Sequence, residues 1–305
     1  MTGSSATQDG PLRSATPAAT VVIPTYNSSS TLLRALASID DCAAEILVVD
    51  DASDDAEALQ TIVALDPRVT LIGKLERSNA AHSRALGLAR AAGDVVLFLD
   101  SDDYFLPGHV ARRRALHATQ QASVAIGRFR LSDGVREWDG PMAAYDDRDF
   151  EDYLFAGGGD ARSSTISVYK PALRGTTFDA RLAKHQDWGF LLAASRNGER
   201  IGFDPVPGAT ISLVGNTRMS ARSNVDASLA FARDQLRSAA NRRRFLLGRL
   251  RTSLRLGDVA AARRFRDALL ELDPLPGERW GSTAMVLAAQ LGLAIPLHRL
   301  LRARR

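Results

Sequence analysis

Apolar residues come in four short unbroken runs early in the chain: TVVIP (20–24), EILVVD (45–50), VTLIG (69–73) and DVVLFLD (94–100). None alternates apolar with polar, so each reads as a strand covered on both faces, the mark of a parallel sheet. Between them the spacing turns helical. Residues 31–39 carry Leu32, Leu33 and Leu36, and residues 56–65 carry Leu59, Ile62 and Val63. The Ala-rich stretch 80–92 carries Leu86 and Leu88 before Gly93 stops it. This alternation predicts a Rossmann-like, doubly wound, mostly parallel α/β sheet, whose ligands sit at the carboxyl ends of the strands.

Further along, Pro107 opens another helix, HVARRRALHATQQ, and VAIGRFRL and STISVYK read as strands. DDRDFEDYLF and DWGFLLAASRNG read as helices, the second ending at Gly198, with GGGD (157–160) as a loop. From residue 226 the pattern is helical throughout. One long Arg/Leu helix runs to about residue 256. GDVAAARRFRDALLELDP (257–274) then looks like the hairpin of a single tetratricopeptide unit, and two more helical segments follow at 284–291 and 295–303. The expected division is a disordered leader over 1–18, an α/β domain over 19–222 and a basic α-helical region over 223–305. The leader is small and polar and lacks the apolar segment of a secretory signal.

Charge sharpens that division. Residues 1–220 hold 22 Lys and Arg against 28 Asp and Glu, whereas residues 221–305 hold 17 against 7. A basic tail suits an anionic membrane surface or a polyanionic acceptor. Leu293, Ile295, Leu297, Leu300 and Leu301, set among Arg299, Arg302, Arg304 and Arg305, are compatible with a helix resting on such a surface. For Arg242–Arg244 the plainer reading is the solvated face of a helical bundle packed on the first domain. No aromatic interleaving or nucleic-acid motif accompanies the charge, which argues against nucleic acid as a partner. With Cys42 as its single cysteine, the chain forms no internal disulfide and no cysteine-based zinc site. No apolar run approaches the roughly 20 residues of a membrane span. The expectation is a cytoplasmic protein, peripheral at most on the inner face of the membrane.

Three strand ends carry chemistry. The run at 94–100 leads directly into Ser101, so Asp100, Asp102 and Asp103 crowd one rim. Carboxylates this close call for a cation nearby, and hard oxygen ligands suit Mg²⁺ or Mn²⁺, which also bridge to phosphates. Acids that merely cap a helix give the same letters. VVIPTYNSSSTLLRAL ends a strand on Pro24, Thr25 and Tyr26 and starts a helix that Asn27 or Ser28 can cap. Tyr26 can stack on a base, and the helix start attracts anions; the bland alternative is a buried tyrosine beside an ordinary cap. In ILVVDDASDD, Asp51 can accept a hydrogen bond from a base N–H, unless Ser53 and Asp54 simply cap the next helix.

The order of the blocks is specific. Strand–PTYN–helix, strand–VVDDAS–helix, Asn79 and Arg84 on the third helix, and strand–FLDSDD with Pro107 soon after together resemble the family 2 glycosyltransferases, of GT-A fold. The resemblance covers about residues 19–220 and is looser beyond residue 131. It implies an inverting, metal-dependent transferase of the hexosyl or N-acetylhexosaminyl class, working in polysaccharide biosynthesis. Its donor would be a nucleotide sugar, with uridine the family's usual base, and its acceptor a saccharide or lipid-linked glycan. By the same resemblance Pro24, Thr25 and Tyr26 line the nucleobase, Asp51 binds it, and Asn79 and Arg84 contact the nucleotide. Asp100 serves ribose or metal, Asp102 holds the Mn²⁺ or Mg²⁺, and Asp103 shares that role. HQDWGFLLAASRNG (185–198) matches the family's Glu-Asp-Trp block, which makes Asp187 the general base, with His185 as its neighbour.

Two departures stand out. Gln186 replaces the usual acid beside Asp187, and TISLVGNTRMSARS (210–223) lacks the histidine many members place near the metal. Asn216, Thr217, Arg218 and Ser220 are the candidate substitutes, Arg218 as a contact to the donor phosphate. These departures sustain an alternative: a catalytically weak or inactive glycosyltransferase-like binding or scaffold protein. A phosphatase of the haloacid dehalogenase type also uses D-x-D at a strand end. It needs its nucleophile on the first strand, though, whereas here the pair ends the fourth.

Overall fold

The computed structural model describes residues 18–214 and 224–272, together with Ala284. Arg218, the other candidates in 216–220, residues 1–17 of the leader, and the helices expected at 284–291 and 295–303, apart from Ala284, lie outside the described residues.

β1 (Ala19–Thr25) is buried along its whole length. It is flanked in parallel by β2 (Ala43–Asp50) and β4 (Val95–Phe98), with Val21 opposite Ile46 on one side and Leu97 on the other. Double burial follows from the helices laid over these strands: α1 (Ser29–Ala37), α2 (Ala56–Val63) and α3 (Ala80–Arg90). α3 lies so close that a Cβ on Gly87 would meet Val22 Cγ1 at 2.3 Å. β3 (Val69–Gly73) pairs in parallel with β2 but is the sheet edge, and its residues are half-buried or exposed, unlike the fully covered strand its sequence predicts.

The second half is mixed. α4 (His109–Gln120) leads into β6 (Val124–Ser132), and a short β5 (Tyr104–Phe105) precedes it. Then come β7 (Glu137–Asp139), α5 (Phe150–Phe155), a 3₁₀ turn (Ser163–Thr165), β8 (Ser167–Tyr169), α6 (Gln186–Arg196) and β9 (Ile201–Ser212). One sheet runs β3-β2-β1-β4-β8-β6-β9-β5, with β7 added to β6. β8 joins β4 antiparallel, so the sheet changes direction beside the rim that holds the acids.

The helix caps differ from expectation. Ser28 donates its hydroxyl to the Tyr26 carbonyl, and the α1 amide of Ser29 is received instead by Asp55 Oδ2 at 2.9 Å. Asn27 bonds Asp54 in both directions, and Ser53 serves Asp50 and Asn27, so the side chains expected to cap helices instead knit the β1 and β2 loops together.

The helix expected over 226–256 is two helices, α7 (Val225–Gln235) and α8 (Ala239–Arg255), followed by α9 (Val259–Leu270). At the break the Arg237 and Ser238 amides each donate 2.9 Å bonds to the buried Glu151 carboxylate of α5. Arg242 closes the corner on the Ala232 and Leu236 carbonyls, Arg243 reaches the Leu272 carbonyl and Arg244 reaches Asn241. These three arginines therefore satisfy backbone and side chain inside the helical region. Among the described residues no helix is long and apolar enough to cross a membrane.

Candidate active site

The carboxyl ends of β1, β2 and β4 form one rim, and the Asp51 amide donating to the Thr25 carbonyl at 2.9 Å ties the first two together. Pro24 sits within β1 opposite Val49, and Thr25 is buried with an Oγ1 that has no partner among the described residues. Tyr26, half-buried, carries the Arg77 guanidinium 3.9 Å over its ring. Asp51 is buried. Its Oδ1 pairs with the Lys74 ammonium and receives the Ser78 amide at 2.8 Å. Asn79 is the N-cap of α3, accepting from the His82 amide at 3.0 Å and donating to the Ala180 carbonyl at 2.7 Å.

At the end of β4 the three acids face different partners. Arg84, buried in α3, binds Asp100 through one terminal nitrogen and donates through the other to Gln186 Oε1 at 2.9 Å. It thereby supplies the positive charge this rim requires. The Asp103 carboxylate turns inward, receiving the Ser164 hydroxyl at 2.6 Å and the Ser212 amide at 2.9 Å. Burial, and then the charges of Asp100 and Asp102, hold its pKa well above the ordinary carboxylate range. Asp102 is half-buried, and its carbonyl accepts from Arg34 at 2.6 Å.

Among the described residues no group of three or more His, Cys, Asp or Glu is disposed to hold a metal. The donor set fits a divalent ion only in part, through Asp102 with Asp100 beside it. That suits Mg²⁺-like ions, which commonly take one or two carboxylates and complete their shell with water and substrate phosphates.

Asp187 stands in the first turn of α6, half-buried, accepting the Trp188 amide at 2.9 Å. Burial pushes its pKa up to about 6; the Arg162 charge and the Trp188 amide oppose that shift, and Asp160 adds to it. Arg162 donates to Asp160 Oδ2 at 2.6 Å, and Trp188 Nε1 donates to Asp160 Oδ1 at 3.3 Å. This trio comes from GGGDAR and the tryptophan after Asp187. A sequence reading passes over Asp160 and Arg162 because acid-x-Arg is ordinary loop composition. Gln186 is buried and donates to the Leu182 carbonyl at 2.8 Å while receiving Arg84, so it acts as a neutral link between α6 and the acid rim.

His185 stacks on Trp188 with ring centres 5.2 Å apart and lies 3.0 Å from the Ser228 hydroxyl. Burial holds its pKa well below the usual histidine value, so it is a neutral part of the wall. Separately, a cavity of about 370 Å³ lined by Asp133, Arg136, Glu137 and Trp138 lies on the β6–β7 hairpin, which Tyr104 joins to the rim by donating its hydroxyl to Glu137.

A family model described as "Glycosyl transferase family 2" matches residues 20–177. The chain is 27% identical over 199 residues to the amylovoran biosynthesis glycosyltransferase AmsB of Erwinia amylovora, a match covering 58% of this chain and 64% of AmsB. It is 34% identical over 113 residues to the succinoglycan biosynthesis protein ExoO of Rhizobium meliloti, covering 36% and 32%. These matches thus span less than two thirds of either relative. Among solved structures, S. aureus TarS 1-349 in complex with UDP-GlcNAc superposes with a TM-score of 0.62 at 18% identity, over 91% of this chain and 88% of that one. The mannosyltransferase PcManGT from Pyrobaculum calidifontis, in complex with GDP-Man and Mn²⁺, gives 0.56 at 19%, over 94% and 86%.

Proposed function

The chain belongs to glycosyl transferase family 2, and from that premise we propose that it is an inverting transferase. It moves a hexosyl or N-acetylhexosaminyl group from a nucleotide sugar to a hydroxyl of a saccharide or lipid-linked acceptor. The observation that carries this reading is the Arg84 bridge. One buried guanidinium joins the Asp100 carboxylate to the helix that presents Asp187, so the donor rim and the base helix meet at one point.

In this reading Tyr26 and Asp51 receive the base, and Asp100 and Asp102 face the ribose and diphosphate. Asp102, with Asp100, would hold Mn²⁺ or Mg²⁺, which supplies Lewis-acid stabilisation to the leaving diphosphate. Asp103, committed to Ser164 and Ser212, fixes the turn that carries them. As the acceptor oxygen bonds to the anomeric carbon, the carbon–oxygen bond to the diphosphate breaks with its electrons, and the acceptor's proton passes to the Asp187 carboxylate. Arg162, held by Asp160, faces that carboxylate and keeps part of it ionised despite burial.

The test uses donor hydrolysis, with water as acceptor, in the presence of Mn²⁺. UDP-sugars are the first donors to try. Asp187→Asn is expected to lower turnover by about 10²–10⁴-fold while nucleotide affinity stays near its original value. The rate should rise with pH through about 6, as Asp187 loses its proton. Tight nucleotide binding with no turnover in the unaltered protein would favour a scaffold.

A further inference from the structure

The segment from Lys74 to Asn79, between β3 and α3, forms one wall beside Asp51. The Lys74 ammonium contacts Asp51 Oδ1, and the two side chains are only 7% and 8% exposed. The Ser78 amide donates to the same oxygen at 2.8 Å, and the Ser78 hydroxyl lies 3.2 Å from it. Lys74 Nζ donates to Ser78 Oγ at 2.6 Å and sits 3.4 Å from His82 Nδ1, so the ammonium is fixed from three sides. Arg77, lying over Tyr26, pins the wall at a second point. Every hydrogen bond to the Asp51 carboxylate among the described residues therefore ends on Oδ1.

We propose, resting on the nucleotide-sugar reading, that Lys74 and Ser78 select the base: they saturate Asp51 Oδ1 and leave Oδ2 to read a single ring N–H flanked by a carbonyl. A carboxylate receives guanine through two parallel bonds, from N1–H and from the N2 amino group, and needs both oxygens to do so. Here the amino group would meet an amide N–H and an ammonium, all of them donors. Uracil brings one N3–H with a carbonyl on either side, so it has no second donor to place against the saturated Oδ1. The saturated oxygen that refuses guanine's amino group thus leaves uracil without that penalty. A buried donor left unpaired weakens binding by about ten- to a hundred-fold.

Isothermal titration calorimetry of the full chain with UDP, GDP and IDP, each with Mn²⁺, tests this. IDP is a purine of nearly the same size as GDP that lacks the N2 amino group, so the pair isolates one contact. The expected order is UDP tightest, with IDP about tenfold tighter than GDP. In Lys74→Met the GDP-to-IDP affinity ratio should move about tenfold toward GDP. GDP binding as tightly as IDP to the unaltered protein overturns the inference, as does a ratio left unchanged in a folded Lys74→Met. The comparison in the unaltered protein decides the matter even where the variant does not fold. Silence with all three nucleotides in a folded protein removes the nucleotide-sugar reading and the inference with it.

Discussion

Asp187 shows at the scale of one residue how a single burial has two consequences. A carboxylate half-removed from water is a stronger base, which suits proton abstraction, and it is also a load on the fold. Below about pH 3 the group is protonated in both the folded and the unfolded chain, and at pH 4 burial still costs well under about 1 kcal/mol. Between the ordinary aspartate value of 3.8 and the folded value of about 6, the unfolded chain gives up its proton first, so stability falls as pH rises. Above that window the penalty is constant. Asp187→Asn should therefore unfold at nearly the same urea concentration as the unaltered protein at pH 4. At pH 8 it should be more stable, by at most about 3 kcal/mol. A stability difference that does not change with pH would remove the burial account. Sequence reading reaches Asp187, Asp51 and Asp100 through their motifs, and it misses Lys74, Ser78 and Arg162. Lone polar letters acquire meaning only through distant partners: Ser78 meets Asp51 from 27 positions away, and Arg84 meets Gln186 from 102.

At the scale of elements, β1, β2, β4 and α3 are legible because their patterns are local and the βα unit that covers them is sequential. β9 is not, since DPVPG sits in its middle and proline argues against a paired strand. The structure accommodates both prolines where the β6–β9 register shifts, Gly127 facing Asp204 and Phe129 facing Ala209, so Pro205 and Pro207 owe the ladder no bond. The break between α7 and α8 has no proline or glycine to announce it; its cause is Glu151, 86 and 87 positions away. Glu151→Ala removes the acceptor of two helix-start amides and the carboxylate 3.8 Å from Arg196. It should cost on the order of 2 kcal/mol in urea unfolding. Glu151→Gln, which keeps one acceptor oxygen, should recover part of that. Equal midpoints for all three proteins would show that the corner is set by packing alone.

At the scale of the whole molecule, the two sides of the site have different foundations. The donor side rests on the parallel strands, whose loops are tied to one another. The base side rests on α6, and α6 is held from behind by an aromatic group reaching into the C-terminal helices. Phe245 of α8 lies edge-on to Phe155 at 5.8 Å and to His185 at 5.2 Å, and it meets Phe231 of α7 at 5.5 Å. Phe231 and Phe245 are both buried, so this contact is core rather than a loose appendage. Phe245→Ala would leave a cavity directly behind the Asp187 turn and should cost about 3–5 kcal/mol. Because the cavity is remote from Asp51 and Tyr26, UDP affinity should hold within about twofold, while donor hydrolysis drops by an order of magnitude or more as the base loses its position. Calorimetry and hydrolysis rates measured on the same folded sample separate the two effects. A parallel loss of both would mean that the C-terminal helices support the whole sheet rather than the base helix alone.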